Sequence, residues 1–299
     1  MTSALIDASH SGTWKLGDLT VNRLGFGAMR LTGSGAFDQG TPSDRERVIG
    51  VLRRAVELGV NHIDTAAFYF SSLRSANELI NTALAPYSDD LVITTKVWPG
   101  RDNSGEWWLA DPGQIRGQVE ENLRQLGRDH MDVVNLRVPR RNGFPSLAEH
   151  FGALAELRTA GLVRHLGISN ATAAHLAEAR AIAPVVCVQN PYGIGADADS
   201  RAMLRGCGEE GIAFVPFYAI AGSGRDGGAG AAAAHDEAVL DIARAHDATP
   251  AQIRLAWTLA QGPHVLAIPG TGNPDHLAAN VAAGAIRLTP QEIARLDAL

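Results

Sequence analysis

Four side chains at the ends of short apolar runs could act together on a carbonyl group. Asp64 ends the apolar part of "NHIDTAAFYF" and Tyr69 follows it in the same stretch; Lys96 sits near the end of "LVITTKV" and Arg137 near the end of "MDVVNLRV". Tyrosine is a weak acid at neutral pH, with a reference pKa of about 10. A cation a few ångströms away favours the phenolate and eases proton release. A lysine buried alone would tend to lose its own proton, and a carboxylate such as Asp64 opposes that loss. Asp64, Lys96 and Tyr69 therefore read as a general acid able to protonate a carbonyl oxygen at neutral pH. Arg137 cannot give up a proton but offers a fixed fork of donors, which suits developing oxyanion charge. Taken singly, each residue fits a structural ion pair or a core tyrosine better; their joint placement carries the catalytic reading.

Such placement requires several strands that end on one face. The chain supplies a rhythm of eight apolar runs: "RLGFGAM", "VNHIDTA", "LVITTKV", "MDVVNLRV", "VRHLGIS", "VVCVQN", "IAFVPF" and "HVLAIPG". Between them lie amphipathic stretches such as "SDRERVIGVLRRAVELG", "DPGQIRGQVEENLRQLG" and "PSLAEHFGALAELRTAG". These open on Ser43, Asp111 with Pro112, and Ser146, and close on Gly59, Gly127 and Gly161, the expected start and stop chemistry of helices. Eight strands alternating with helices predict a parallel (β/α)8 barrel, a TIM barrel, spanning residues 1–299 as a single domain. "TWKLGDLTVN" predicts an N-terminal β-hairpin, and "TPQEIARLDAL" an extra C-terminal helix. In this architecture chemistry sits where strands end and βα loops begin.

Composition excludes several other classes. The 299 residues carry a net charge of -6 and no Lys/Arg run, so no footprint for nucleic acid exists. Cys187 and Cys207 form neither a disulfide framework nor a CxxC pair, which points to a reducing cytoplasm. The opening "MTSALIDASHSG" lacks the basic and apolar regions of a secretion signal, and no apolar run reaches the membrane-spanning length of about 18 residues. No paired histidine spacing suggests a metal, so His62 and His165 read as core histidines. Trp98, Trp107 and Trp108 either line a pocket or cover the barrel top. Residues 222–236, rich in Gly and Ala, read as a flexible surface loop, with a lid over a ligand as the alternative. No protein partner is inferred.

Taken together, "LGFGAM", "HIDTAAFY", "VITTK", "GISN", "VQNPY", "FVPFYAI" and "IPGTGNPDHLAANV" resemble the aldo-keto reductase family along nearly the whole chain. The resemblance implies an NADP(H)-dependent reductase of small-molecule carbonyls whose catalytic set comprises Asp64, Tyr69 and Lys96. Its fourth member, usually histidine, is Arg137 here. It also implies cofactor contacts from Gly27, Ala28 and Met29. Ser169, Asn170 and Gln189 would hold the carboxamide, and Phe217 would stack on the nicotinamide, with Tyr218 and Ile220 in the same segment. Gly270, Thr271, Asn273, His276 and Asn280 would serve the adenosine end, with His276 near a 2′-phosphate. Arg137 and its flanking strand narrow the resemblance to bacterial members that interconvert pyridoxal and pyridoxine. On that reading Arg137 binds the phenolic oxygen of pyridoxal or its carbonyl, and Trp98 and Arg140 stand near the substrate. A broad aldehyde and ketone reductase remains open, as does a non-catalytic nucleotide-sensing subunit, against which Asp64, Tyr69 and Lys96 speak.

Overall fold

The apolar runs become parallel strands because each is short, largely buried on both faces and followed by a helix that returns the chain to the same end. The computed structural model describes residues 6–33, 41–139, 143–220 and 237–299. An antiparallel hairpin, β1 (Thr13–Leu16) and β2 (Leu19–Asn22), comes first. The barrel units follow as β3 (Phe26–Gly27), α1 (Arg45–Glu57), β4 (His62–Asp64), α2 (Ala76–Leu84) and β5 (Val92–Val97). A second hairpin, β6 (Pro99–Arg101) and β7 (Trp107–Leu109), precedes α3 (Ile115–Leu126), β8 (Met131–Arg137), α4 (Ala148–Thr159) and β9 (Val163–Ser169). Then come α5 (Ala173–Ile182), β10 (Val185–Gln189), α6 (Ala198–Glu209), β11 (Ala213–Phe214), α7 (Glu237–Ala245), α8 (Pro250–Ala260), α9 (Pro274–Ala282) and α10 (Pro290–Asp297).

Seven of these strands pair in the parallel order β11-β10-β9-β8-β5-β4-β3. The eighth apolar run, residues 264–268, closes the cylinder through isolated bridges instead of a ladder. Phe214 N donates to His264 O and Leu266 N to Phe214 O on one side; Ala267 N donates to Arg23 O and Gly25 N to Ala267 O on the other. Arg23 holds this seam from outside, its guanidinium donating to the carbonyls of Ser11, Leu259, Gly262 and Val265. The expected barrel is thus present, with one strand position filled by single bridges.

The first hairpin seals the N-terminal end. Leu16 and Val21 pack against Val92, Val133, Cys187, Ala213 and Leu266, which point inward from the starts of five strand positions. Its turn is fixed by Gly17 at φ +66°, a left-handed conformation that suits glycine. The next residue, Asp18, pairs with Arg164 at 2.5 Å and His165 at 2.6 Å. Helix termini follow the expected chemistry, with two shifts. Asp44 rather than Ser43 caps α1 by accepting from Arg47 N, while Ser43 donates to Leu31 O. Leu147 rather than Ser146 stands at the N-cap of α4, where Ser146 Oγ accepts from Ala148 N. The C-terminal helix α10 opens on a Thr289–Glu292 capping box and is tied down where Trp257 Nε1 donates to Asp297 at 2.8 Å.

Candidate active site

The parallel register brings the ends of five strands to one rim. Asp64 closes β4 and pairs in register with Thr94; Lys96 pairs with Asn135; Arg137 closes β8 beside Ser169, which closes β9; Gln189 closes β10 beside Ser169. Lys96, only 2% exposed, donates to Asp64 Oδ1 at 2.6 Å and to Thr65 O at 2.9 Å. The second oxygen of Asp64 accepts from Gln189 Nε2 at 2.7 Å. The Ser169 hydroxyl lies 3.5 Å from Gln189 Oε1 and accepts from Arg137 Nη1 at 3.1 Å. Lys96, Asp64, Gln189, Ser169 and Arg137 therefore form one continuous polar chain across the barrel mouth, with a cation at each end. Tyr69 is 7% exposed, and the ammonium of Lys96 lies 4.8 Å from the centroid of its ring.

Backbone strain gathers at the same rim. Of the four non-glycine residues with positive φ among those described, Trp98 (φ 99°), Asn170 (φ 55°) and Tyr218 (φ 66°) follow the ends of β5, β9 and β11, and the fourth, Asp247 (φ 48°), follows α7. Such residues cost roughly 1–3 kcal/mol each and persist where the surroundings hold them, commonly at functional sites. Asn170 is held by its N–H to Gln189 O and by Nδ2 to Val138 O.

Directly below the rim the barrel interior stays polar. His62 is 1% exposed, with Nε2 3.2 Å from Thr94 Oγ1 and Nδ1 without a partner. Burial pulls its pKa down from 6.5 to about 4, which keeps the ring neutral. The Cys187 thiol donates to Asn135 Oδ1, and burial pushes its pKa well above the ordinary thiol range. His62 is thus the core histidine expected, though only half satisfied; His165 instead sits at the opposite end, on Asp18.

A cavity of about 950 Å³ opens over this rim. Of the residues singled out in the sequence, Gly27, Met29, Asp64, Tyr69, Arg137, Gln189, Phe217, Tyr218, Ile220 and Gly270 line it. Ala28 and Ser169 are fully buried behind the lining, with Lys96. Thr271, Asn273, His276 and Asn280 lie farther along, at the start of α9 and within it. There Asn273 caps the helix by accepting from Asp275 N, and Thr271 Oγ1 accepts from Asn273 N. Trp98 does not reach the cavity. Its left-handed backbone turns the ring inward, where it stacks on His150 at 4.1 Å and meets Phe144 edge-on. Trp107 and Trp108 of β7 line the cavity in its place. Arg140 and residues 222–236 lie outside the described residues.

Phe68, Phe144, Leu255 and Arg30 also line the cavity; Phe68 lies within "HIDTAAFY" but is not marked out by it, and the other three carried no sequence signal. The hairpin of β6 and β7 had one, the apolar triplet "WWL". It is cross-paired Gly100 to Trp108 and Arg101 to Trp107, and a Cβ on Gly100 would lie 2.5 Å from the Trp108 indole. Glycine there lets the indole lie flat across the strand.

The sequence profile described as the aldo/keto reductase family matches residues 23–299. The chain belongs to the aldo/keto reductase family. It is 43% identical over 294 residues to a pyridoxine 4-dehydrogenase of Escherichia coli, covering 97% of this chain and 98% of the relative. Among solved structures, a thermostable aldo-keto reductase in complex with the inhibitor epalrestat superposes with a TM-score of 0.78 at 30% identity, covering 96% of this chain and 98% of that one. An aldo-keto reductase from Klebsiella pneumoniae in complex with NADPH superposes at 0.76 with 26% identity, covering 93% and 91%. The expected barrel and family are therefore shown, and general aldehyde or ketone reduction is the family's chemistry.

Proposed function

We propose that the protein reduces the aldehyde of pyridoxal to the alcohol of pyridoxine with NADPH as the donor, and runs the reverse oxidation at the same site. The observation that carries this reading is the polar chain from Lys96 to Arg137, which borders a cavity whose wall includes Tyr69. Its support from similarity is the identity to a pyridoxine 4-dehydrogenase along the whole chain.

The residues present fit a nicotinamide dinucleotide. Gln189 gives one amide hydrogen to Asp64, and its Oε1, which accepts the long bond from Ser169 Oγ, has a second lone pair for a carboxamide N–H. Phe217 offers a ring face within the cavity. From Gly270 the chain runs to the N-terminus of α9, whose positive dipole end suits a phosphate. His276, exposed in the first turn of α9, would meet a 2′-phosphate. When bound, the reduced nicotinamide supplies two electrons as a hydride to the carbonyl carbon.

The chain's own residues supply the rest. Tyr69 gives its proton to the carbonyl oxygen, so that hydride and proton together convert aldehyde to alcohol. Lys96, anchored by Asp64 and Thr65, sets its charge against the tyrosine ring and stabilises the anion left behind. Arg137, held by Ser169 through Nη1 and with its guanidinium carbon 5.2 Å from the Phe217 ring centroid, would offer the other arm of its fork to a substrate oxygen. Phe68, Trp107 and Trp108 form an aromatic wall for a planar ring. That wall would also accept other planar aldehydes, which is the case for a broader reductase as second reading.

Arg137→Met separates the two. If Arg137 binds the phenolic oxygen of pyridoxal, the KM for pyridoxal rises about 10- to 100-fold, the worth of one hydrogen bond to a charged group, while the KM for plain benzaldehyde moves little. Equal losses on both substrates dismiss the phenolate contact. Measurable NADPH binding by the wild type without turnover of any carbonyl would establish a sensor in place of an enzyme.

A further inference from the structure

Arg101, at the end of β6, reaches out of its own hairpin to the loop that carries Tyr69. Its Nη1 donates to Phe70 O at 2.8 Å and lies 3.4 Å from Phe68 O, the two carbonyls that flank the tyrosine in sequence. Its Nε donates across the hairpin turn to Gly105 O at 3.2 Å. The guanidinium carbon lies 4.5 Å from the Phe70 ring centroid and 5.6 Å from that of Trp107. Phe68 in turn meets Tyr69 edge-on at 5.1 Å and Trp107 at 5.5 Å. Gly105, at φ +92°, is where the turn needs glycine, and a Cβ there would press within 3.1 Å of Arg101 Nη2. The aromatic wall and the proton donor thus share one cation.

We propose that Arg101 is a positioning residue that clamps the Tyr69 loop to the β6–β7 hairpin, so that a substrate ring seated on Trp107 and Trp108 sets the tyrosine hydroxyl against its carbonyl. This rests on the reductase reading above. A planar guanidinium can serve two carbonyls and stack on two rings at once, whereas the compact ammonium of lysine cannot. Apart from Arg101 the hairpin is held to itself by three cross-strand pairs, by Ala110 N to Trp98 O at its base and by Asp102 across its turn, none of which reaches the Tyr69 loop, and Trp107 is already 49% exposed. Misplacement by roughly 1 Å is enough to cost about 100-fold in rate.

The test uses the full chain with NADPH and pyridoxal, comparing wild type, Arg101→Met and Arg101→Lys. The expected result is NADPH binding within about twofold of wild type, a kcat lowered about 10- to 100-fold in both variants, and a larger solvent deuterium isotope effect on kcat as proton delivery slows. Wild-type kcat and an unchanged isotope effect in R101K overturn the clamp, as does a loss confined to the melting temperature with kcat per folded enzyme intact. Should R101M fail to fold, R101K alone decides. An active wild type with an equally active R101K sinks only the clamp; a wild type inactive on every carbonyl sinks the reductase reading first.

Discussion

The same strands do opposite work at their two ends. At their starts, Val92, Val133 and Cys187 turn inward onto Leu16 and Val21, and the first hairpin closes the cylinder with apolar volume. A few residues on, Lys96, Arg137 and Gln189 deliver charge and hydrogen bonds to an open mouth. The left-handed backbone at Trp98, Asn170 and Tyr218 belongs to that mouth alone. The difference shows where stability comes from and where it is spent. Packing at the base adds favourable burial, while the rim holds buried charge and strained backbone that oppose folding but position the chemistry.

The comparison breaks hardest at Lys96. Lys96→Met leaves Asp64 buried without its cation, at a cost of about 3–5 kcal/mol in unfolding free energy, and it removes the charge beside Tyr69. Urea melts and carbonyl turnover should both fall. A variant that keeps wild-type stability would show that the pair contributes nothing net. At the base, Leu16→Ala should cost about 2–4 kcal/mol through the cavity it leaves, with kcat per folded enzyme unchanged. Loss of turnover there without loss of stability would join the two ends that this account separates.

The polar layer between them sharpens the contrast through pH. His62 titrates near 4 when folded and near 6.5 when unfolded, so the unfolded chain takes up the proton first as pH falls. Its contribution is full above about pH 6.5 and declines as pH drops toward 4, by roughly 3 kcal/mol in all. His62→Gln should flatten the stability difference measured between pH 7 and pH 4.5. An unchanged difference would place the acid sensitivity elsewhere.

Much of this was readable in the chain because its signals are local. Strand ends, caps and the first hairpin follow from short patterns, and Asp64, Tyr69, Arg137 and Phe217 meet at one cavity because each lies at or just after a strand end. The unreadable parts are those that depend on closure. Gln189 and Asp64 lie 125 residues apart in the chain, and only the closed cylinder puts the amide on the carboxylate. The eighth strand position has the right residues but pairs through bridges held by Arg23, a side chain with no local mark of that role. Trp98 and Trp107 look alike in sequence. Backbone conformation decides which ring faces the cavity, and the left-handed turn at Trp98 sends its ring inward. Arg30 and Leu255 reach the cavity from a short helical turn after β3 and from α8, where no periodicity singles them out.

The central claim is that the hydroxyl of Tyr69 supplies the proton, and one measurement addresses it most directly. Pyridoxal reduction is followed through the loss of NADPH absorbance in wild type and Tyr69→Phe, with NADPH affinity measured in both. The account predicts unchanged cofactor affinity and a kcat lower by about 100- to 10,000-fold, the worth of a positioned general acid. Turnover by the phenylalanine variant within a few-fold of wild type would contradict it.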